Sequence, residues 1–223
     1  MKNDIELTFQ TVDLPPPFAN AISIKFRREN TDLWIDFNQE YLNREAISEE
    51  EIIEEGFSTN DDLAWKGSLN HSWQRDFDNL LTRTSVSAKA QESGNTLFLT
   101  SEGKQGFIDN AEAWEYFIQE VIQAIYERSG KEYEFLMIIR TKDTLHEIKG
   151  SFAQRLFTVN EAEKDWTSFH TLLILLEKIE LAENPKNTGK SHTPSISFNK
   201  KDYFPITSDA KVVKEMLDFI GAI

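Results

Sequence analysis

The sequence predicts an α+β fold in which a mainly antiparallel sheet is packed by two or three long helices. Short segments along the chain alternate apolar and polar residues, as half-buried strands do. Two longer segments carry apolar residues at helical spacing. Neighbouring strand-like segments are separated by too few residues for a parallel crossover. With 39% hydrophobic residues, the 223-residue chain can bury a sizeable core. The sequence favours one domain over residues 1–223, with a possible soft boundary near residue 90.

Strand-like segments dominate the N-terminal part of the chain. Apolar and polar residues alternate over residues 5–12, 21–28 and 33–41. The triple proline Pro15–Pro17 breaks the sheet after the first of them and predicts an extended connector. A helix is predicted at residues 71–83, between short strands at 63–69 and 96–100.

The second and third strands are predicted to form a hairpin, because residues 29–32 have turn composition. A tight turn at Asn30–Thr31 gathers the apolar residues on one face. In this register Phe26 pairs with Ile35, Ile24 with Phe37, Lys25 with Asp36, and Arg27 with Trp34. Two interpretations of Trp34 remain open. It is either an aromatic platform that stacks on a ligand beside Arg27, or a core residue under a second layer, which the usual burial of large aromatics favours.

The second half of the chain mixes long helices with strands. A capping box at Asp109 and Glu112 begins one helix, and Gly130 ends it. A nearly continuous apolar run predicts a central strand that is covered on both faces. The predicted elements, in order, are a helix at 110–128, strands at 133–141, 144–149 and 152–159, a helix at 160–182, a strand at 194–199 and a helix from Ser208.

Composition limits the classes of partner and compartment. The net charge is −14, from 38 acidic and 24 basic residues, so the chain repels phosphate backbones and anionic lipid surfaces. We therefore expect neither a nucleic-acid nor a membrane partner. The chain has no cysteine, which excludes disulfides, thiol catalysis and cysteine-bound metals. The first ten residues lack the apolar region of a signal peptide, so a cytoplasmic location is expected.

The negative charge is concentrated in residues 40–62, which hold nine acidic side chains and one basic one, Arg44. Ser48 and Glu51 form a capping-box pattern, and Gly56 stands where a helix would end. A short ordered helix is therefore predicted inside this acidic stretch. The candidate partner-binding residues are Glu49, Glu50, Glu54, Glu55, Asp61 and Asp62.

No motif in the sequence indicates catalysis, a cofactor or a metal site. Residues 189–191 are Gly-Lys-Ser, the letters that end a phosphate-binding loop, but Asn184 stands where such a loop needs a glycine. A helix is also predicted before these residues and a strand after them, the reverse of that loop's order. His146 and Glu147 begin like a zinc-protease motif, but Gly150 occupies the position of its second histidine.

Two classes of function stay open. The first is a non-catalytic interaction module, adaptor-like or immunity-like, that docks a basic protein through its acidic surface. The second is an enzyme or small-ligand binder with a pocket made of dispersed residues. The absence of catalytic motifs favours the first class, with no cofactor. The candidate ligand-binding residues of the second class are Arg27, Trp34, Trp65 and His71.

Overall fold

The computed structural model describes residues 4–11, 14–89, 95–186 and 193–223. Within these ranges the chain forms five α-helices and two antiparallel sheets, which confirms the predicted α+β class. The chain divides into two compact units, Met1–Val121 and Ile122–Ile223. This division falls within a helix, whereas the soft boundary was expected near residue 90. The single-domain organisation stays a prediction.

The first unit contains a seven-stranded antiparallel sheet. Its strands are β1 (Ile5–Gln10), β2 (Asn20–Glu29), β3 (Asp32–Tyr41), β4 (Leu63–Leu69), β5 (Val86–Ser87), β6 (Thr96–Ser101) and β7 (Lys104–Ile108). Their spatial order is β4-β3-β2-β1-β6-β7-β5. The sheet carries its buried residues on one face and mostly polar residues on the other, as an antiparallel sheet with one solvated face does.

The β2–β3 hairpin has the predicted register. Asn30 takes a left-handed φ of 56° in the two-residue turn. The strands pair Phe26 with Ile35, Ile24 with Phe37, Lys25 with Asp36 and Arg27 with Trp34. Alternation together with the position of the turn was sufficient here, because a slip of one residue would move every apolar side chain to the solvated face.

Aromatic side chains fill the core of the first unit. The helices of this unit are α1 (Glu49–Glu54), α2 (His71–Thr82) and the start of α3 (Ala111–Arg128). The centre of the Phe77 ring on α2 lies 4.6 Å from the centre of the Phe26 ring on the sheet. The buried Trp114 indole donates a 2.8 Å hydrogen bond to the Thr84 hydroxyl, so its one polar atom is satisfied.

The second unit contains a six-stranded antiparallel sheet, the end of α3 and two further helices. The strands are β8 (Phe135–Arg140), β9 (Leu145–Ser151), β10 (Leu156–Val159), β11 (Ala162–Lys164), β12 (Ser195–Ser197) and β13 (Phe204–Pro205), and the helices are α4 (Trp166–Leu176) and α5 (Ala210–Ala222). The spatial order is β11-β10-β9-β8-β12-β13. The consecutive residues Met137, Ile138 and Ile139 of β8 are all buried, so this central strand is covered on both faces as predicted.

The expectation of two or three long helices overstates the helical content. The helix predicted at 110–128 is present as α3, with 18 residues, but α4 has only 11 residues where 160–182 was predicted. Asn160 and Glu161 have positive φ values of 51° and 68°, which form a tight hairpin turn and cannot begin a helix. The residues after them form β11. Asp165 then caps α4 by accepting a 2.8 Å hydrogen bond from the Thr167 amide.

Glu147 gives the second unit an acid-sensitive ion-pair cluster. Hydrogen bonds from Lys149 and Lys200, the latter 2.8 Å away, lower the pKa of Glu147 to about 2. Because this folded-state pKa lies below the ordinary value of 4.5, the ionised carboxylate stabilises the fold above that value. The contribution is lost as the pH falls towards about 2.

We therefore expect Glu147→Gln to lower the urea midpoint of unfolding at neutral pH and to have a shrinking effect as the pH falls below the ordinary pKa of glutamate. Glu163→Gln, on the exposed strand β11, is the control. A Glu147→Gln effect of equal size at every pH would show that ionisation of this carboxylate does not contribute to stability.

Candidate docking surface at the acidic element

The predicted acidic helix is present as α1, and both of its ends have the predicted caps. The Ser48 hydroxyl accepts a hydrogen bond from the Glu51 amide at 3.3 Å, and the Glu51 carboxylate accepts one from the Ser48 amide at 2.8 Å. The Glu51 carboxylate also accepts a hydrogen bond from the Ser48 hydroxyl, and the two bonds that it accepts from Ser48 hold the pKa of Glu51 below its usual value. At the other end, Gly56 has a φ of 83° and the Phe57 amide donates to the Ile52 carbonyl at 3.1 Å. The helix is short but fixed at both ends.

Four of the candidate partner-binding residues, on this helix and at its C-cap, face solvent. They are Glu49, Glu50, Glu54 and Glu55, and all are exposed. Within the described ranges, no hydrogen bond or ion pair engages their carboxylates. Ile53 lies among them in the sequence and is 58% exposed, whereas Ile52 is buried. The exposed part of the helix thus combines negative charge with an apolar side chain.

Arg44 holds the acidic segment in place. Its guanidinium donates to the Ser58 carbonyl at 2.7 Å and to the Asp61 carboxylate at 2.9 Å. The same group lies 4.0 Å from the centre of the Tyr41 ring and 4.9 Å from that of Phe57. Because the Arg44 side chain is 12% exposed and the Asp61 side chain 28% exposed, this charge pair is partly removed from water.

Asp61 and Asp62, the other two candidate partner-binding residues, have partners within the protein. Asp61 accepts hydrogen bonds from the hydroxyl and the amide of Ser58 at 2.6 and 2.8 Å, in addition to the bond from Arg44. Burial raises the pKa of Asp61, but these hydrogen bonds outweigh it and hold the pKa below its usual value. Asp62 accepts from the Tyr41 amide at 2.9 Å. Their first role is therefore to shape the loop between α1 and β4.

Sequence reasoning missed the cluster of side chains under the acidic segment. The Phe57 ring makes edge contacts with Phe18, at 5.4 Å, and with Tyr41, at 5.6 Å. A signal for Arg44 was present, since it is the one basic residue among nine acidic ones in residues 40–62. The contacts of Phe18 join segments almost forty residues apart, and no local pattern predicts them.

The alternative site is only partly assembled. Arg27 and Trp34 do meet, with the guanidinium carbon 4.5 Å from the centre of the indole ring. Asp4 accepts two hydrogen bonds from this guanidinium, at 2.7 and 3.0 Å. Trp34 is half-buried, so it is neither the fully buried core residue favoured above nor an open platform. Arg27 itself covers one face of the indole ring.

The other two candidate ligand-binding residues lie elsewhere. Trp65 pairs with the buried Phe37 across β3 and β4, so its side chain is on the core side of the sheet. Trp34 is an odd number of residues from Phe37 and therefore lies on the opposite side. His71 is exposed at the first position of α2. The structure thus brings Arg27 and Trp34 together, but places Trp65 across the sheet from them.

No group of three or more histidine, aspartate or glutamate side chains within the described ranges could hold a metal ion. Over the same residues, no helix has both the length and the apolar composition that crossing a bilayer requires. The Gly-Lys-Ser letters at 189–191 lie outside the described residues.

Comparison with known proteins adds no family to this description. The chain matches no protein-family model, no curated protein and no solved structure.

Proposed function

We propose that this protein is a non-catalytic interaction module, adaptor-like or immunity-like, that docks a basic partner protein through α1. The observation that supports this proposal best is the exposure of four glutamates on a helix whose ends and flanking loop are fixed. Because these charged side chains stand on an ordered helix, little free energy is spent on ordering the backbone when a partner binds, and most of the electrostatic attraction contributes to affinity. Their field also steers a basic partner towards the surface before contact.

The exposed Ile53 adds a second element of recognition. A docking surface needs an apolar centre as well as a charged rim, since charge mainly sets the association rate and the orientation. Ile53 lies between Ile52 and Glu54 in the sequence and is 58% exposed. We infer that the partner presents an apolar side chain flanked by lysine or arginine.

The test replaces Glu49, Glu50, Glu54 and Glu55 with glutamine and leaves Glu51 to keep the capping box. Proteins that the parent chain and the variant capture from native lysate are compared, and the association rate of the captured partner is then measured. We expect the variant to associate about tenfold more slowly at low ionic strength, with a smaller difference at physiological salt, because salt screens exposed charges.

A matched control removes the same number of charges from the other unit. It carries the substitutions Glu163→Gln, Glu177→Gln, Glu180→Gln and Glu183→Gln, at residues that are likewise exposed. If both variants slow association equally, the effect comes from net charge and not from α1. If the α1 variant keeps the association rate and the salt dependence of the parent protein, its glutamates only form a solvated helix face and do not bind the partner.

A further inference from the structure

The strand β4 differs from the other strands at the sheet edges. In the described ranges the four edge strands are β4, β5, β11 and β13. The last three are only two or three residues long, whereas β4 has seven residues. Short edges are one way in which proteins prevent unwanted strand pairing, and a long edge offers a row of backbone groups to another strand.

The backbone groups that face outward from β4 can be identified from the hairpin. Glu29 and Asp32 flank its two-residue turn, and such a pair exchanges both backbone hydrogen bonds. Every second residue of β3 from Asp32 therefore bonds to β2, and the residues between them bond to β4. The register of β3 with β4 then directs the N–H and C=O groups of alternate β4 residues towards β3. The residues that direct these groups away from the sheet are Ala64, Lys66 and Ser68.

These outward-facing residues are accessible. All three are exposed, and β3 is the one strand that pairs with β4 in the described part of the chain. Lys66 is the residue type that often protects an edge. Its ammonium group, however, lies 2.8 Å from the Asp36 carboxylate, so its charge is compensated on the solvated face of the sheet.

The core side of the same edge presents an apolar surface. Trp65 is half-buried, and its ring extends along the strand over Gly67. A Cβ atom at Gly67 would lie only 2.5 Å from Cζ2 of that ring, so the glycine makes room for it. An added strand could place one side chain against the indole edge and alternate side chains towards solvent.

We propose that β4 binds an extended, basic segment of a partner protein as an eighth strand of the sheet. This inference rests on the proposed function and specifies its mode of binding. Backbone hydrogen bonds to the outward groups of β4 would supply affinity, and alternate side chains would supply specificity. The acidic element supplies the charge preference, because residues 55–62 lead directly from α1 into β4. A second copy of the chain would bring its own charge of −14, which disfavours pairing of two β4 strands.

The test uses a display library of random peptides, about ten residues long to exceed the length of a typical strand. Peptides selected on the parent protein are synthesised, and their dissociation constants are measured against the parent, Lys66→Pro and Lys66→Thr. Proline removes an outward N–H and is tolerated at sheet edges, whereas threonine keeps the N–H and favours strands. We expect alternating peptides rich in lysine or arginine that bind Lys66→Pro at least about tenfold more weakly and Lys66→Thr about equally.

A second measurement leaves the protein unchanged. Methylation of alternate backbone nitrogens of a selected peptide removes its hydrogen-bond donors on one edge, and we expect a similar loss of affinity for the parent protein. The inference is overturned if the proline variant and the methylated peptide both keep full affinity, or if no selected peptide distinguishes the proline variant. A parent protein that sediments as a dimer and becomes a monomer on Lys66→Pro would overturn it in favour of a second copy.

The glutamine variant of α1 separates the two proposals. Selected peptides that bind Lys66→Pro more weakly but bind the α1 variant with unchanged affinity would support strand addition at β4 and contradict charge-based docking through α1. The reverse result would support docking through α1 and contradict strand addition at β4.

Discussion

Replacement of Phe169 by alanine is expected to lower the free energy of unfolding by about 3–5 kcal/mol, as at other fully buried phenylalanines. Phe169 is fully buried and belongs to the core of the second unit. The centre of its ring is 5.0 to 5.7 Å from the centres of four other aromatic rings. These neighbours are Phe135, Phe152, Phe157 and Trp166. Alanine would leave a cavity that such large, mutually packed rings cannot close. Chemical denaturation measures the effect.

Ile174→Ala is the matched control, since Ile174 lies on the same helix but is 57% exposed. Its effect should stay within about 0.5 kcal/mol, as is usual at surface positions. A loss below about 1 kcal/mol for Phe169→Ala would show that the cluster repacks easily and that the fold does not depend on this ring.

Gly150 provides a second test of the same packing. A Cβ atom at Gly150 would overlap the Phe169 ring, and the three nearest atoms all belong to that ring. Gly150→Ala should therefore cost about 1–3 kcal/mol in the parent protein. In the Phe169→Ala background the same change should cost much less, because the overlapping ring is gone. Additive effects in this double-mutant cycle would contradict the proposed contact.

Replacement of Arg44 by methionine is expected to destabilise the protein by about 2–3 kcal/mol, less than for a fully buried ion pair. Methionine keeps the long apolar side chain but removes the hydrogen bonds to Ser58 and Asp61. The Asp61 carboxylate would then lose its cationic partner in a partly buried site. We also expect faster hydrogen exchange of the amides in residues 56–61, which would show that the acidic loop has loosened.

Arg75→Met is the control for charge removal, because the Arg75 side chain is 65% exposed in its ion pair with Asp76. That pair should contribute less than about 1 kcal/mol. Combining Arg44→Met with Asp61→Asn should cost less than the sum of the single changes, since each removes the same interaction. Equal losses for Arg44→Met and Arg75→Met would mean that Arg44 acts as an ordinary surface charge.

Local sequence patterns predicted the elements whose stabilising contacts are close in the chain. The β2–β3 hairpin followed from alternation and one turn, and α1 followed from Ser48, Glu51 and Gly56. The capping bonds of α1 join residues a few positions apart, and the hairpin pairing starts from Glu29 and Asp32, which flank its turn. The candidate glutamates of α1 were found in this way, and their exposure agrees with the polar face that the pattern predicts.

Local patterns were wrong where a residue type fits two structures. Asn160 and Glu163 resemble the start of a helix, but the chain turns there and adds β11 to the sheet. Gly150 resembles a turn residue between two strands, yet it lies within β9 between Phe135 and Phe157. Its lack of a side chain makes room for Phe169, which is 19 positions away in the sequence. A spacing of that kind is set by packing, which short-range propensity does not encode.

The sequence by itself determined the α+β class, the hairpin register, the capped acidic helix and the concentration of negative charge around it. Tertiary structure alone decided which acidic residues are exposed to a partner and which bind groups within the protein. Arg44 and Ser58 bind Asp61, whereas the glutamates of α1 remain exposed. It also placed Trp34 and Trp65 on opposite faces of the sheet and made β4 a long edge. The physical reason is range: alternation and capping act over a few residues, whereas strand order and side-chain partnership join segments that meet only in the folded chain.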